Sequence, residues 1–260
     1  MGAEATPNRG GAQGLGCRAC AIVRAVRVSS QYNVATPHSF AARLAGYQRR
    51  RMYLRFLAGS GIGPADTIID VGATSDRSYD HSNYLEAWYP HKDRITAVGI
   101  DDASYLEQVY PGVTFRRADG RALPYPDDSF DFAHSSAVIE HVGSRASQTA
   151  LLVELWRVCR KGLFLTTPNR WFPVEFHTLI PLLHWLPGPA FRAFLRVMGH
   201  DLLAEEAHLN LMSRRDLLVA SRAAGIYGAR IERARLGGWT SNLLLIARKS
   251  GSAGTSRVLG

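Results

Sequence analysis

Residues 117–142 read RADGRALPYPDDSFDFAHSSAVIEHV, and this stretch decides the fold class. It places Asp119 in a loop that continues through a Leu-Pro turn and the acidic pair Asp127 and Asp128. An apolar run begins near Phe130 and is typical of a buried strand. Two upstream segments, TIIDVGATSD from residue 67 and RITAVGIDD from residue 94, also join an apolar strand to a carboxylate. Because the carboxyl ends of parallel strands line one crevice, the sequence predicts a ligand site there.

The order Asp-x-Gly, strand-end acid and then D-G-x-x-L-P-[YF]-x-x-x-S-F-D-x-x-x-S-x-x-[IL]-E-H resembles the class I S-adenosylmethionine-dependent methyltransferases, in particular their small-molecule (type 11) branch. The similarity covers residues 64–167 well. The residues that match together in the third motif are Asp119, Leu123, Pro124, Phe130, Asp131 and His141. The resemblance implies a Rossmann-like, doubly wound α/β fold with S-adenosylmethionine as the cofactor. The first motif departs from the family's Gly-x-Gly-x-Gly, because Thr74 and Asp76 replace the later glycines.

The resemblance also implies roles for strand-end residues. Asp101 would bind the ribose hydroxyls of the cofactor, and Asp119 would lie beside the adenine amino group, with Gly120 allowing close approach. The amino-acid end would face Asp70, Gly72 and Ala73, with Asp70 partly positioning the loop. Either Ser135 or Ser136 would line the methionine pocket, and Ser135 is taken as the candidate. The alternatives are that Asp101 only caps the next helix and that Gly72 is an ordinary turn glycine.

Catalytic residues are harder to predict, because the methyl group of the cofactor is already activated. Positioning alone can lower a barrier by roughly 7–11 kcal/mol, so a dedicated base is not required. His177 follows Glu175 in an apolar segment and is the candidate base for a hydroxyl acceptor. The alternative for His177 is a packing role. His141 is assigned to loop support, His134 and His184 rank lower, and no metal site is expected.

The apolar spacing predicts an alternation of helices and strands. Helices are predicted over residues 39–57, 84–88, 104–110, 147–160 and 213–224. Strands are predicted over residues 67–71, 95–100, 113–116, 131–135 and 163–166. Residues 229–236 and 242–248 flank a Gly-Gly turn and predict an antiparallel hairpin. The predicted sheet is therefore mainly parallel, with an antiparallel strand from the carboxyl-terminal hairpin.

The chain divides into a disordered tail over residues 1–35, a domain over residues 36–250 and a flexible tail over residues 251–260. Within the domain, residues 169–210 form an insert dense in aromatic residues, leucine and proline. One hypothesis is that the insert is an extra core layer. The other is that it is an apolar lid, which holds a lipid-linked acceptor or lies on an anionic membrane surface.

Composition and charge indicate which partners and which cellular location suit the chain. The 260-residue chain carries a formal net charge of +9, which indicates either an anionic partner or an arginine-rich composition. Cys17 and Cys20 form a lone CxxC pair, for which a zinc or redox role is not favoured. The few cysteines suit a reducing cytosol, and no apolar run reaches the 18 residues typical of a membrane span. The sequence therefore predicts a cytoplasmic location, with peripheral membrane association as an alternative.

Other functions have specific requirements that this chain lacks. A nicotinamide oxidoreductase needs G-x-G-x-x-G after the first strand, where only Gly72 is present. A nucleic-acid methyltransferase that modifies amino groups would have an Asn/Asp-Pro-Pro-aromatic turn, where residues 134–137 read His-Ser-Ser-Ala. A non-catalytic binding protein remains an alternative because the glycine loop is altered. The sequence favours methyl transfer to oxygen of a small-molecule or lipid-linked acceptor, and it identifies neither the acceptor nor the oligomeric state.

Overall fold

The computed structural model describes residues 39–77, 79 and 81–249. The predicted tails, over residues 1–35 and 251–260, lie outside the described residues. The same holds for the Cys17 and Cys20 pair. The third cysteine, Cys159, is a buried free thiol.

One seven-stranded sheet forms the centre of the molecule. Its strands are β1 (Ile68–Val71), β2 (Ile95–Gly99), β3 (Thr114–Arg117), β4 (Phe130–Ser136), β5 (Cys159–Pro168), β6 (Arg230–Leu236) and β7 (Trp239–Arg248). The spatial order is β3-β2-β1-β4-β5-β7-β6. Strands β1 to β5 pair in parallel, whereas β7 runs antiparallel to both β5 and β6. The predicted doubly wound sheet with an antiparallel carboxyl-terminal hairpin is confirmed.

Helices cover both faces of this sheet. They are α1 (Phe40–Ser60), α2 (Tyr84–Trp88), α3 (Tyr105–Val109), α4 (Arg145–Val158), α5 (Gly188–Val197) and α6 (Arg214–Ala223). Short 3-10 turns cover Lys92–Arg94, Ile139–His141 and Leu183–Trp185. Helix α4 begins two residues before its predicted start, because the side chain of Ser144 accepts a hydrogen bond from the Ser147 amide and caps the first turn. Helix α6 begins with a reciprocal capping box between Ser213 and Asp216.

Two hydrophobic clusters lie on opposite faces of the sheet. One packs α4 and α6 on the sheet through residues such as Leu151, Leu155 and Leu217. The other packs α1, α2 and α3 on the sheet through residues such as Phe56, Leu85 and Leu106. Between them the strand order reverses at β1, since β2 lies on one side of it and β4 on the other. This reversal opens a crevice at the carboxyl ends of the strands.

The insert over residues 169–210 is partly core and partly surface. It supplies most of a third small cluster, formed by Phe191, Leu195, Leu203, Ala204, Leu209 and Leu211. Other apolar side chains of the insert are exposed, namely Trp171, Leu179, Leu182, Leu186, Phe194, Val197 and Met198. The core-layer hypothesis therefore accounts for one part of the insert and leaves the exposed part unexplained.

A buried carboxylate ties three strands together at the end of the sheet opposite the crevice. Asp131 of β4 accepts hydrogen bonds from the Thr67 amide at 2.9 Å and from the Arg160 guanidinium at 2.9 Å. The ammonium group of Lys161 lies 2.8 Å from the same carboxylate. The hydrogen bond from Arg160 is the largest cause that holds the pKa of Asp131 well below its usual range.

We expect the substitution Asp131→Ala to lower the free energy of unfolding by about 1–3 kcal/mol at neutral pH, because the Thr67 amide loses its acceptor. The folded pKa is depressed, so the stabilisation is complete above the ordinary pKa of 3.8 and is lost as the pH falls below it. Urea unfolding at pH 7 and pH 3 measures both effects.

The control for this prediction is Asp127→Ala. Asp127 pairs with Arg157 at 2.9 Å, but its side chain is 76% exposed. An exposed pair contributes about 0–1 kcal/mol, so the control should change stability little at either pH. Equal effects of the two substitutions would contradict the role given to Asp131.

Candidate active site at the carboxyl ends of the strands

A cavity of about 950 Å³ lies at the carboxyl ends of the parallel strands. Four strand-end loops line it, at residues 71–74, 98–101, 118–121 and 136–138. Of the residues predicted to bind the cofactor, those that line the cavity are Gly72, Ala73, Asp101, Asp119 and Gly120. The structure therefore brings these five together, although their roles toward a cofactor stay predictions.

The loop after β1 requires glycine at its first position. Gly72 has a φ of +119°, a backbone conformation that residues other than glycine rarely adopt. A Cβ at this position would lie 2.0 Å from Cγ2 of Val138. The amides of Gly72 and Ala73 both donate to the carbonyl of Val98, at 2.8 and 2.9 Å. This tight turn keeps the loop against β2 and Val138. The turn therefore needs glycine for its conformation, and a role of Gly72 toward the cofactor stays a prediction.

The residues that replace the later glycines of this loop make polar contacts. Asn83 accepts a hydrogen bond from the Thr74 amide at 2.9 Å and donates one to the Thr74 carbonyl at 3.0 Å. Tyr105 donates to the same carbonyl at 3.2 Å. The Thr74 hydroxyl accepts from the Asp76 amide at 3.1 Å. Side-chain contacts thus hold a loop that glycines form in the usual motif.

The two strand-end acids differ in their surroundings. Asp101 is partly exposed in the turn after β2. The carboxylate of Asp119 accepts hydrogen bonds from Arg121, through Nε at 3.0 Å and Nη2 at 2.6 Å. The side-chain hydrogen bond from Arg121 is the largest cause that lowers the pKa of Asp119. A cofactor amino group that binds Asp119 must share this carboxylate with Arg121 or displace it.

The prediction for Ser135 is wrong. Ser135 is fully buried and its hydroxyl donates to the Val71 carbonyl at 2.8 Å. Ser136 lines the cavity instead, and its hydroxyl lies 2.9 Å from that of Thr166. Successive side chains of a strand point to opposite faces, so only one serine of the pair can reach the crevice.

Asp70 does not line the cavity either, so its predicted contact with the amino-acid end of the cofactor is wrong. Its carboxylate lies 2.6 Å from Nδ1 of His134 on the neighbouring strand β4. The other nitrogen of His134 lies 3.0 Å from the hydroxyl of Tyr84. Burial raises the pKa of Asp70 to about 7 and lowers the pKa of His134 to about 4. These contacts join Asp70 of β1 to the neighbouring strand β4, and a role of Asp70 in positioning the loop stays a prediction.

A second group of polar residues lies on the cavity wall between the sheet and the insert. Nδ1 of His141 donates to the His208 carbonyl at 2.7 Å, and Nδ1 of His177 lies 2.5 Å from Oε1 of Glu175. The two Nε2 atoms face each other at 3.0 Å. The adjacent Glu140 is fully buried, and its Oε2 accepts a hydrogen bond from Thr167 at 2.9 Å.

Burial and the neighbouring side chains shift the pKa values of Glu140, His141, Glu175 and His177. Burial raises the pKa of Glu140 to about 7 and lowers the pKa of His141 to about 3. Burial opposes the charged form of Glu175, but His177 outweighs it and lowers the pKa of Glu175 to about 2. Burial likewise opposes the charged form of His177, and the Glu175 carboxylate outweighs it and raises the pKa of His177.

These contacts bear on the predicted base. His177 lines the cavity, as a catalytic role requires, yet both of its ring nitrogens are engaged, by Glu175 and by His141. A base needs a nitrogen that can accept a proton. The nitrogen of His177 that would accept a proton is Nε2, which faces His141 at 3.0 Å, and its role as a base stays a prediction. His141 lines the cavity as well as supporting the loop.

Sequence reasoning missed two features of the site. Arg49 of α1 lines the cavity near the altered loop, although the run of arginines at residues 49–51 was a visible signal. The approach of Glu140 and His141 to His177 was also missed, because 36 residues separate the two histidines. The signals for it are the Glu-His pair that ends the third motif and the Glu-x-His at residues 175–177.

Known proteins similar to this chain share one activity. A family model described as a methyltransferase domain matches residues 81–166. An uncharacterized methyltransferase of Mycolicibacterium paratuberculosis is 32% identical over 195 residues, which are 70% of this chain and 72% of that protein. An uncharacterized methyltransferase of Mycobacterium avium has the same identity and coverage.

Solved structures show the same fold at low sequence identity. A S-adenosylmethionine-dependent methyltransferase from Mesorhizobium loti is 16% identical, covers 79% of this chain and 100% of its own, and has a TM-score of 0.54. Magnesium protoporphyrin IX methyltransferase from Synechocystis, solved with bound S-adenosylhomocysteine, is 15% identical. It covers 81% of this chain and 86% of its own, with a TM-score of 0.52.

We expect Asp101→Ala and Asp119→Ala each to weaken binding of S-adenosylhomocysteine and to leave the fold intact, since neither side chain is buried in the core. Each variant loses hydrogen bonds to a bound polar group, which corresponds to about 1–3 kcal/mol of binding free energy. Isothermal titration calorimetry measures the change.

The matched control is Asp102→Ala. Asp102 is an exposed neighbour of Asp101 whose carboxylate caps the Ser104 amide at 2.9 Å, and it is not among the cavity residues. Its affinity should equal that of the unchanged protein. Full affinity in both the Asp101 and the Asp119 variant would rule out the predicted cofactor pocket.

Proposed function

Since the chain belongs to the class I S-adenosylmethionine-dependent methyltransferases, we propose that it transfers the methyl group of this cofactor to a hydroxyl oxygen of a small-molecule or lipid-linked acceptor. The observation that carries the proposal is the two-part wall of the cavity. One part consists of the strand-end loops with Asp101 and Asp119. The other part contains His141 and, from the insert, His177.

The first part of the wall is the proposed cofactor site. In this proposal Asp101 accepts hydrogen bonds from the ribose hydroxyls, and Asp119 accepts one from the adenine amino group. The turn at Gly72 and Ala73 then lies beside the methionine end. Arg49 is the proposed partner of the cofactor carboxylate, because it is a cation that lines the same cavity as this turn. A guanidinium and a carboxylate form strong charge-assisted hydrogen bonds.

The second part of the wall is the proposed acceptor site. It combines His141 and His177 with Leu202 and residues 206–208 of the insert. This mixture of apolar and polar groups suits an acceptor that presents a hydroxyl from an apolar body. The insert, which follows the last parallel strand, would thereby determine which acceptor binds.

The chemistry then consists mainly of positioning. The acceptor oxygen forms a bond to the methyl carbon while the carbon–sulfur bond breaks, and both electrons of that bond stay on sulfur. The hydroxyl proton leaves to solvent, and S-adenosylhomocysteine remains. Holding the two reactants in line accounts for roughly 7–11 kcal/mol of barrier lowering in such reactions.

A membrane surface is the proposed location of the acceptor. The end of α5 and the turn before it expose Leu182, Phe194, Val197 and Met198, with Val197 86% exposed. Exposed apolar groups of this kind mark binding surfaces, and the neighbouring Arg196 suits anionic head groups. Among the described residues no helix is both long and apolar enough to cross a bilayer. The proposed association is therefore peripheral.

The experiment that tests the proposed activity is methyl transfer from labelled S-adenosylmethionine to cell extracts separated into a lipid and a water-soluble fraction. We expect a labelled product in the lipid fraction, whose methoxy group mass spectrometry identifies. The Asp101→Ala variant should give at least several-fold less product at low cofactor concentration. Labelling of neither fraction, with S-adenosylhomocysteine still bound, would support a non-catalytic binding protein instead.

Flotation with anionic vesicles tests the membrane location separately. We expect the chain to float at low salt, and the triple variant Leu182→Ser, Phe194→Ser and Val197→Ser to remain largely at the bottom of the gradient. These side chains are exposed, so the variant should stay folded. The control is Val219→Ser on α6, which removes an apolar side chain that is 60% exposed outside the insert. Equal flotation of the triple variant and the control would contradict the proposed surface.

A further inference from the structure

Glu140, His141 and His177 converge at one point, where the two histidines line the cavity and Glu140 is fully buried. Each offers one ligand atom, and these three atoms lie within 4.8 Å of one another. Atoms bound to a single zinc ion at about 2.0–2.2 Å lie roughly 3–4 Å apart, so small rotations of these side chains would close the site.

The hydrogen bonds of the two histidines determine which ring nitrogen faces the other. The carbonyl of His208 can only accept, so Nδ1 of His141 carries the proton at their 2.7 Å contact. The ionised Glu175 likewise accepts from Nδ1 of His177. Both Nε2 atoms would then present lone pairs to each other at 3.0 Å. Two lone pairs at this distance repel unless a proton or a metal ion lies between them.

The same pattern orients histidines in metal sites. A metal-bound histidine almost always donates its other ring N–H to a carboxylate or a backbone carbonyl, which fixes the ring and strengthens the ligand. Glu175 does this for His177, and its own carboxylate is held by the amides of His177 and Thr178 at 2.9 and 2.7 Å. The His208 carbonyl does it for His141.

Glu140 supplies an independent observation. Its side chain is fully buried, and within the part of the chain that the structure describes its Oε1 has no hydrogen-bond partner. This oxygen lies 4.0 Å from Nε2 of His141, on the side of the histidine pair. A buried carboxylate oxygen without a partner is costly, and a bound cation removes that cost. A proton shared by the two histidines would leave Oε1 without a hydrogen bond.

We propose that Glu140, His141 and His177 bind a divalent transition-metal ion on the acceptor side of the cavity. Two imidazoles and one carboxylate are the ligand set of several zinc sites that keep a fourth position open. Imidazole ligands favour zinc and its neighbours in the series, whereas magnesium prefers oxygen ligands alone. Since both histidines line the cavity, the open position faces the acceptor.

The role of this ion rests on the proposed function, whereas its binding does not. In that role the ion takes the acceptor oxygen as its fourth ligand. A bound cation lowers the pKa of a coordinated hydroxyl, so the proton leaves to solvent before the oxygen reaches the methyl carbon. The ion would thereby promote loss of the hydroxyl proton, which is the role predicted for His177 as a base. His177 would contribute as a ligand instead.

The test is titration of the untagged, metal-free full chain with Co²⁺, which reports its coordination through its visible absorption. We expect one Co²⁺ per chain, displaced by Zn²⁺ and not by a tenfold excess of Mg²⁺. Glu140→Gln and His177→Gln each remove a ligand and should abolish the band. Glu175→Gln should weaken binding about 10- to 100-fold, because it only orients His177.

Two controls separate this site from other metal-binding groups. His91→Gln replaces a histidine outside the cavity, and the paired change Cys17→Ser with Cys20→Ser removes the CxxC thiols. Both should keep the band. Calorimetry with S-adenosylhomocysteine on every variant shows whether the cofactor site survives, so a failed metal site and a failed methyltransferase site give different results. Absence of Co²⁺ binding, binding that persists in the Glu140 and His177 variants, or displacement by Mg²⁺ would overturn the proposal.

Discussion

The close turn at Gly72 is the constraint on which the rest of the site depends. Its backbone has a positive φ, Val138 occupies the space that a Cβ would need, and two successive amides donate to one carbonyl of β2 at Val98. The turn therefore joins the loops after β1, β2 and β4 into one wall. A Cβ at this position would collide with the side chain of Val138, beside the point where the strand order reverses and the crevice opens.

Burial separates the strand-end carboxylates into two kinds. Asp70 points into the interior, where it pairs with His134, and burial raises its pKa to about 7. Asp101 and Asp119 line the cavity, where the carboxylate of Asp119 is paired with Arg121. The same division applies across the site. Burial raises the pKa of Glu140, so this side chain needs a nearby positive charge to stay ionised, whereas Asp119 already forms an ion pair with Arg121. Acids at equivalent strand ends can thus support the loop in one case and face the ligand in another.

Sequence patterns predicted correctly those structural features that depend on residues close together in the chain. Strand periodicity and turn residues predicted the mixed sheet, and a position after a strand placed Asp101 and Asp119 at the crevice, because parallel strands end at one edge. They failed where the answer depends on side-chain direction, as for Ser135, whose neighbour Ser136 reaches the cavity instead. They also failed for contacts across long chain separations. His177 was singled out, but nothing local showed that it would meet His141 from the third motif.

We propose that one cavity holds the cofactor against the strand-end loops and the acceptor against His141 and His177. A crystal structure of the chain with S-adenosylhomocysteine tests it most directly. We expect the ribose at Asp101, the adenine at Asp119 and the sulfur between Gly72 and the His141–His177 pair, with open space on the histidine side of the sulfur. A sulfur atom that points away from these histidines, or a ligand bound outside this cavity, would contradict the account.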